Sequence, residues 1–403
     1  MSNKGALSGL RVIDATQYLA GPICGKTLGD LGADVIKVES LLSGGEYNRT
    51  HGIMDLQSNG EMCNFLALNR NKRSLPVDLK NPAGVKVIHD LVAKSDIFLQ
   101  NFRFGTADRL GIGYEVLSKI NPELIYCSIT GYGTTGPLRD RPGQDLILQG
   151  YSGSMFSVGA IEDDPAPSAL WAPDVMTGYQ AAIGILAAVQ ARTHTGKGQH
   201  VEIDMLSVVL DCQLQELVTY LNTGVKPQRT SERSGHGSIP APYGIVKTSD
   251  SWLVLSMIPL PTLGEILNND WLRGLDQSND GQTYRDEVYR AVRHQFTNKT
   301  TAEWVEIFDA AGAWCGPVYD YDDLVQDAHI IDNNYIVDQP QYRGGSARTL
   351  RPTIKMSDTP TSIRSGAPAL GEHSEEIMRD VLGYDEGQIS SLFASSVVGN
   401  IQD

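Results

Sequence analysis

Cysteine is scarce in this chain. The five thiols, Cys24, Cys63, Cys127, Cys212 and Cys315, include no CxxC pair. That argues against a zinc site and against a disulfide framework. Reduced thiols in a cytoplasm are the simplest account. Long apolar runs are also missing. The longest, Ala181 to Val189, falls short of the roughly 20 residues that cross a bilayer. The opening Met1-Ser-Asn-Lys-Gly leads into neither an apolar secretory core nor an arginine-rich amphipathic stretch. A cytoplasmic chain with no membrane association is expected. Positive charge is the third shortage, with 33 Lys+Arg against 48 Asp+Glu and a net charge of −15. Such a chain is unsuited to coating nucleic acid or an anionic membrane. A local basic cluster can still hold a phosphorylated ligand.

The composition that is present, 41% hydrophobic and 20% charged, is that of a folded protein. At 403 residues the chain outgrows one core, so two lobes are expected. Arg11 to Asp14 reads as a strand, Ala20-Gly-Pro22 as a turn, Ile23 to Leu31 as a helix and Asp34 to Glu39 as a second strand. That is a βαβ unit with parallel strands and a right-handed crossover. The alternation continues with helices over 81–94 and 114–121 and strands over 96–100 and 124–129. An open α/β lobe with both sheet faces covered follows. After a strand at 201–205, one helix is expected over 206–221, then a Gly/Ser/Pro-rich loop over 223–240. Two short strands around Asp250-Ser251 and helices over 284–296 and 301–311 suggest a second, smaller α/β lobe. The chain then returns to the first lobe near Tyr319-Asp320, and 374–382 reads as helical.

One motif misleads. Gly131-Tyr-Gly-Thr-Thr-Gly136 fits GxGxxG after a strand, but Pro137 and Pro142 follow and no helix opens. A dinucleotide fingerprint needs that helix. The basic residues say more. Asn69-Arg-Asn-Lys-Arg73 puts three cations in what reads as a loop before a helix, and Arg103, Arg109, Arg139 and Arg141 fall in loops or helix ends after strands. Ligands of open α/β sheets sit beyond the carboxyl ends of the strands, where such side chains suit phosphate oxygens. A solvated surface with scattered ion pairs is the other reading. Asp174 stands in Trp171-Ala-Pro-Asp-Val-Met-Thr-Gly178, ahead of a nearly charge-free helical run over 179–191 and the turn Gly196-Lys-Gly198. A carboxylate that opens a helix can cap it and stay anionic. Beside a pocket it can also be a nucleophile.

The chain resembles the class III coenzyme A transferases, the group of formyl-CoA, carnitine-CoA and succinyl-CoA-dependent transferases that also includes α-methylacyl-CoA racemase. The resemblance runs from about Leu7 to Leu382. It rests on Leu10-Arg-Val-Ile-Asp14, Ala20-Gly-Pro22, Leu28-Gly-Asp-Leu-Gly-Ala-Asp-Val-Ile-Lys-Val-Glu39 and Asn69-Arg-Asn-Lys-Arg-Ser74. Asn101-Phe102, Arg109-Leu-Gly111, Gly131-Tyr-Gly133, Gly178, Thr195-Gly-Lys-Gly-Gln199 and Ala367-Pro-Ala-Leu-Gly-Glu-His373 complete it. It implies a Rossmann-like large domain made from both chain ends (1–222 and 321–403), a smaller inserted α/β domain (223–320), and an interlocked-ring homodimer.

The resemblance also implies a reaction. CoA passes from an acyl-CoA donor to a carboxylic acid acceptor through a mixed anhydride and a thioester on Asp174. Coenzyme A enters as substrate, with no tightly bound cofactor and no metal. The loop around Gln17 and the segment Gly235-His-Gly237 are implied to line the site. Lys72, Arg73, Asn101, Phe102, Arg109 and Arg141 are the implied CoA contacts. The chain has Ser40 where formyl-CoA transferases carry an arginine, so Arg49 or Arg70 is a candidate substitute. Met155-Phe156 is a candidate pocket wall. The racemase branch, which moves an α-proton, is the alternative. It needs a histidine where this chain has Gln144 between Gly143 and Asp145, and glutamine cannot serve as the base.

Overall fold

The computed structural model describes residues 5–232 and 235–401. The opening Met1 to Lys4, read above for targeting signals, and Arg233-Ser234 of the 223–240 segment lie outside the described residues. The chain forms two compact units, Met1–Leu148 with Trp171–Val209 and Ile331–Asp403, and Gln149–Leu170 with Leu210–Ile330. This division differs from the expected segments. Residues 149–170 and 210–222 cluster with the smaller unit, and that unit runs to Ile330.

The larger unit is built on six parallel strands: β1 (Arg11–Ala15), β2 (Asp34–Ser40), β3 (Lys72–Val77), β4 (Ile97–Gln100), β5 (Ile125–Thr130) and β6 (His200–Asp204). Their order across the sheet is β3-β2-β1-β4-β5-β6. The strands are apolar on successive residues because both faces are covered. Val12, Val35, Ile97 and Leu99 pack to one side with helices α1 (Ala20–Asp30) and α5 (Ala172–Thr195). Ile13, Ile36 and Phe98 pack to the other, with α2 (Pro82–Val92) and the C-terminal residues Ile377, Met378, Val397 and Val398. The remaining helices of this unit used below are α3 (Tyr114–Ile120) and α4 (Asp145–Ser152), which runs on into the smaller unit.

Two expectations change here. Lys72 and Arg73, read as part of a loop, open β3, which runs to Val77. Its interior Pro76 is tolerated because β3 is the edge of the sheet, where a residue without an N–H costs no ladder bond. The helix expected over 206–221 is two, α6 (Met205–Asp211) and α7 (Leu214–Thr223). No helix among the described residues is long and apolar enough to cross a membrane. The GxGxxG segment opens no helix. Gly131 instead lets the backbone of Gly143 come close, since a Cβ on it would stand 2.5 Å from the Gly143 Cα.

The smaller unit holds an antiparallel sheet of β7 (Tyr243–Lys247), β8 (Trp252–Ser256) and β9 (Cys315–Pro317) in the order β9-β8-β7. Its core is Val246, Leu253, Leu255, Val288, Phe296, Trp304 and Phe308, supplied in part by α8 (Arg285–Arg293) and α9 (Thr301–Ala310). The Trp304 indole N–H donates to the Phe296 carbonyl at 2.8 Å, so the large ring is buried without an unmet donor.

Candidate active site

Strand order fixes where ligands can enter. The chain leaves β1 toward β2 on one side and leaves β4 toward β5 on the other. Neighbouring connections that part in this way open a crevice at the carboxyl ends of β1 and β4. Gln17 follows β1 and Asn101 follows β4. The Gln17 N–H donates to Asn101 Oδ1 at 3.0 Å, and Asn101 Nδ2 donates to the Gln17 carbonyl at 2.8 Å. Asn101, an implied CoA contact, therefore clasps the Gln17 backbone. The Phe102 N–H donates to Gln100 Oε1 at 2.7 Å, and its ring packs against the core. Tyr18 holds a left-handed φ of 68°, which a non-glycine residue keeps only where its surroundings enforce it. The Asn48 amide donates to the Tyr18 carbonyl.

A buried set of charges supports this loop from below. Lys72 Nζ donates to Asp14 Oδ2 at 2.8 Å, Asn69 Oδ1 at 2.9 Å and the Pro22 carbonyl at 3.1 Å. Asp14 Oδ1 accepts from the Thr16 N–H at 3.0 Å and from the Thr16 hydroxyl. Lys37 Nζ donates to the Thr16 carbonyl at 2.9 Å and pairs with Glu46. Burial alone would raise the Asp14 pKa, but Lys72, Lys37 and their hydrogen bonds together hold it below its ordinary value. Gly25 makes room for this pair: a Cβ there would stand 2.4 Å from Asp14 Oδ2. Thr16 is thus tied on three atoms one residue before Gln17.

This corrects the reading of Lys72. All three of its donors are committed and its side chain is 0% exposed. The Arg73 guanidinium pairs with both oxygens of Asp34 at 2.7 Å and with Glu376 at 2.8 Å, on the strand rather than in a loop. The two substitutes for the missing arginine are also engaged. Arg49 grips both oxygens of Glu39 and lies over the Phe65 ring at 3.8 Å. Arg70 grips both oxygens of Asp30 at 2.9 and 2.6 Å. Arg109 differs: it is exposed, gives Nη2 to the Thr106 hydroxyl at 2.8 Å, and lines an open cavity of about 880 Å3 with Leu79, Lys80 and His89. Arg141 is exposed as well. Of the implied phosphate-binding cations, Arg109 and Arg141 are the two whose charge faces solvent.

Asp174 does not cap its helix. α5 begins at Ala172 with Pro173 in its first turn, and Trp171 occupies the cap position without a side-chain bond. Proline fits there because the first turn has no acceptor for its missing N–H. Asp174 is the third helical residue, and its own N–H donates to Asp145 Oδ2 at 3.2 Å. Asp145 opens α4 and is 1% exposed. Burial first, and the Asp145 charge second, push the Asp174 carboxyl up to about 7. The positive end of the α5 dipole pulls the other way. Asp174 is therefore poised between acid and anion near neutrality, where a nucleophile or base is most useful. One turn on, a Cβ at Gly178 would stand 2.5 Å from the Ala20 carbonyl. The helix that starts just after the Gln17 loop is thereby packed directly on the helix that carries Asp174.

Asp145 is a site residue that the sequence reading passed over, having used this segment to test for a histidine. Asp14 and Thr16 were passed over too; the acid at the end of a strand was the available signal. Gln144 is exposed and offers no base. In the smaller unit, His236 Nε2 lies 3.2 Å from Glu216 Oε1, and the Gly235 N–H donates to the Tyr243 carbonyl at 2.6 Å. Phe156 in that unit is exposed.

Known proteins give this geometry a context. The CoA-transferase family III profile matches residues 7–374. The mouse protein named succinyl-CoA:glutarate CoA-transferase is 34% identical over 403 aligned residues, covering 97% of this chain and 90% of its own. The succinyl-CoA–L-malate CoA-transferase beta subunit of Chloroflexus aurantiacus is 33% identical, covering 97% of this chain and 98% of its own. The crystal structure of a CAIB/BAIF family protein from Brucella suis superposes with a TM-score of 0.83 at 31% identity, over 94% of this chain and all of that one.

Proposed function

The chain belongs to CoA-transferase family III, and from that premise we propose that it moves CoA from an acyl-CoA thioester to a free carboxylic acid with Asp174 as the nucleophile. The Asp174 carboxylate adds to the thioester carbonyl and the C–S bond breaks, giving a mixed anhydride and CoA thiolate. The thiolate adds to the aspartyl carbonyl and expels the donor's acyl group as a free carboxylate. That leaves an aspartyl-CoA thioester. The acceptor carboxylate adds to this thioester and releases thiolate. Thiolate then attacks the acceptor carbonyl of the new anhydride and frees Asp174. A carboxylate suits this sequence because its anhydride is as activated as the thioester, so the energy is passed on.

The observation that carries the reading is Asp174 itself: half-buried in the first turn of α5, beside Asp145, with its carboxyl pushed up to about 7 by burial and that neighbour. Each addition makes an oxyanion, which fixed N–H donors stabilise. Gln17, braced by Asn101 from one side and through Thr16 by Asp14 and Lys37 from below, has its backbone N–H committed, and its side-chain amide is the donor we assign to that role. Arg109 and Arg141 are the cations we assign to the CoA phosphates. The relatives' names point to succinyl-CoA as donor and a short dicarboxylate such as glutarate or malate as acceptor. We further propose an interlocked homodimer in the cytoplasm. Leu221 and Trp314 are 70% and 65% exposed on the single chain, which leaves apolar surface for a second copy to cover.

The test is transfer from succinyl-CoA to a panel of acids, read as new acyl-CoA by mass spectrometry. Asp174→Ala should lower the rate by about 10³-fold or more, the scale of losing a covalent nucleophile. A succinyl or CoA adduct should appear on the wild-type peptide containing Asp174 and be absent from the variant. Normal turnover by the variant would sink the covalent mechanism.

A further inference from the structure

A second cavity in the larger unit, of about 280 Å3, lies against α1, the first turns of α5 and the segment 349–361. It sits toward the end of α1 remote from Gln17. α1 starts where β1 ends and finishes where β2 begins. Lys26, Thr27 and Asp30, which line the cavity, belong to its second half. The lining is cationic. Lys26, Arg70 and Arg351 face one carboxylate among the described lining residues, Asp30. That carboxylate is already used. Its Oδ1 accepts from Arg70 Nε and Asn71 Nδ2, each at 2.9 Å, and its Oδ2 accepts from Arg70 Nη2 at 2.6 Å.

The remaining donors outnumber their acceptors. The Lys26 ammonium has three N–H groups and meets no acceptor among the described residues. Burial, then the Arg70 charge, bring its pKa down to about 8. Arg351 gives one N–H to the Pro352 carbonyl at 3.0 Å and stacks on Tyr335 at 4.5 Å, while its Nε is buried with no acceptor. Half-buried cations whose N–H groups lack acceptors are costly. In a chain of net charge −15, the Lys26 ammonium and the unmet Arg351 Nε beside one cavity are an arrangement that anionic oxygens would relieve. At about 30 Å3 per water, the space holds several waters or a small ion with its hydration.

We infer that this cavity is a binding site for a small oxyanion, an inorganic phosphate or a short carboxylate, held by the Lys26 ammonium and the Arg351 guanidinium. The cavity reaches Val175, the neighbour of Asp174, but its described lining includes neither Gln17 nor Asn101, and the inference does not depend on the assignment of Asp174.

Thermal unfolding of the full chain, with CoA absent and ionic strength held constant with chloride, tests this with phosphate and succinate as separate probes. A ligand of the folded state raises the unfolding midpoint in a saturable way. Wild type should respond to at least one probe. Lys26→Met should weaken the response at least tenfold, and Arg290→Ala, at an exposed cation of the smaller unit, should leave it intact. Response to phosphate alone identifies free phosphate as the occupant, and response to succinate alone identifies a carboxylate. A second readout needs no variant. Acetylation of Lys26 by acetic anhydride at pH 8, followed by mass spectrometry, should slow at least threefold when the effective probe is present, because a bound anion keeps the amine protonated and covered. No response of wild type to either probe, an equal response from Lys26→Met, or an unchanged acetylation rate overturns the site.

Discussion

Burial, then the neighbouring Asp145 charge, push the Asp174 carboxyl up to about 7, and this gives the proposed reaction a definite pH dependence. Its folded pKa is raised to about 7 from 3.8, so acid removes the nucleophile. The acid limb of kcat/KM should fall about tenfold per pH unit below that midpoint. Asp145→Asn removes the neighbouring negative charge and should move the midpoint to lower pH, with the plateau retained in part. An unmoved midpoint would separate the two carboxylates. Lys72 makes a different prediction. With both partners fully buried, Lys72→Met strands the Asp14 carboxylate and should cost about 3–5 kcal/mol in urea unfolding. Asp14→Leu combined with Lys72→Met should recover part of that loss, because no charge is then left unpaired. These roles were unequally legible in the sequence. Asp174 stood out before an apolar helix as a cap or a nucleophile, and only the resemblance of the surrounding motifs favoured the second reading. Lys72 could not be sorted from Arg109, since a cation in a basic run looks the same whether it faces solvent or a buried aspartate across the sheet.

At the scale of elements, the contact between α1 and α5 sets the geometry of the site. Gly178 lies where α5 meets the start of α1, with space for hydrogen alone toward the Ala20 carbonyl. Gly178→Ala should therefore destabilise the chain by about 1–3 kcal/mol, the usual cost of overpacking, measured by chemical denaturation. It should also reduce transfer by more than that loss of stability explains, because Asp174 is one turn away. The βαβ start was legible from alternating apolar runs and from the Gly-Pro that opens α1. β3 was not, because Pro76 and the polar Lys72 to Ser74 conceal a strand whose partner lies in β2. The start of α5 was placed too late, since Pro173 reads as a breaker until it is known to stand in a first turn.

For the whole molecule, the proposal of an interlocked dimer predicts a mass near twice the 43.8 kDa of one chain in sedimentation equilibrium. The species should persist at submicromolar concentration, since interlocked chains separate only by unfolding. A monomer at working concentration would remove the proposal and leave the exposed Leu221 and Trp314 to be explained by another partner.

The sequence by itself determined the alternation of strand and helix in the larger unit and the absence of a membrane-spanning run. Those properties are local: they follow from periodicity, composition and the order of motifs. Tertiary structure decided which cations are buried in ion pairs and which face solvent. It made Asn101 the clasp of the Gln17 loop, and it set Asp145 beside Asp174. Each of these depends on residues far apart in the chain meeting across the sheet. The protonation of a carboxylate and the partner of an amine are properties of that meeting, so no reading along one strand at a time could supply them.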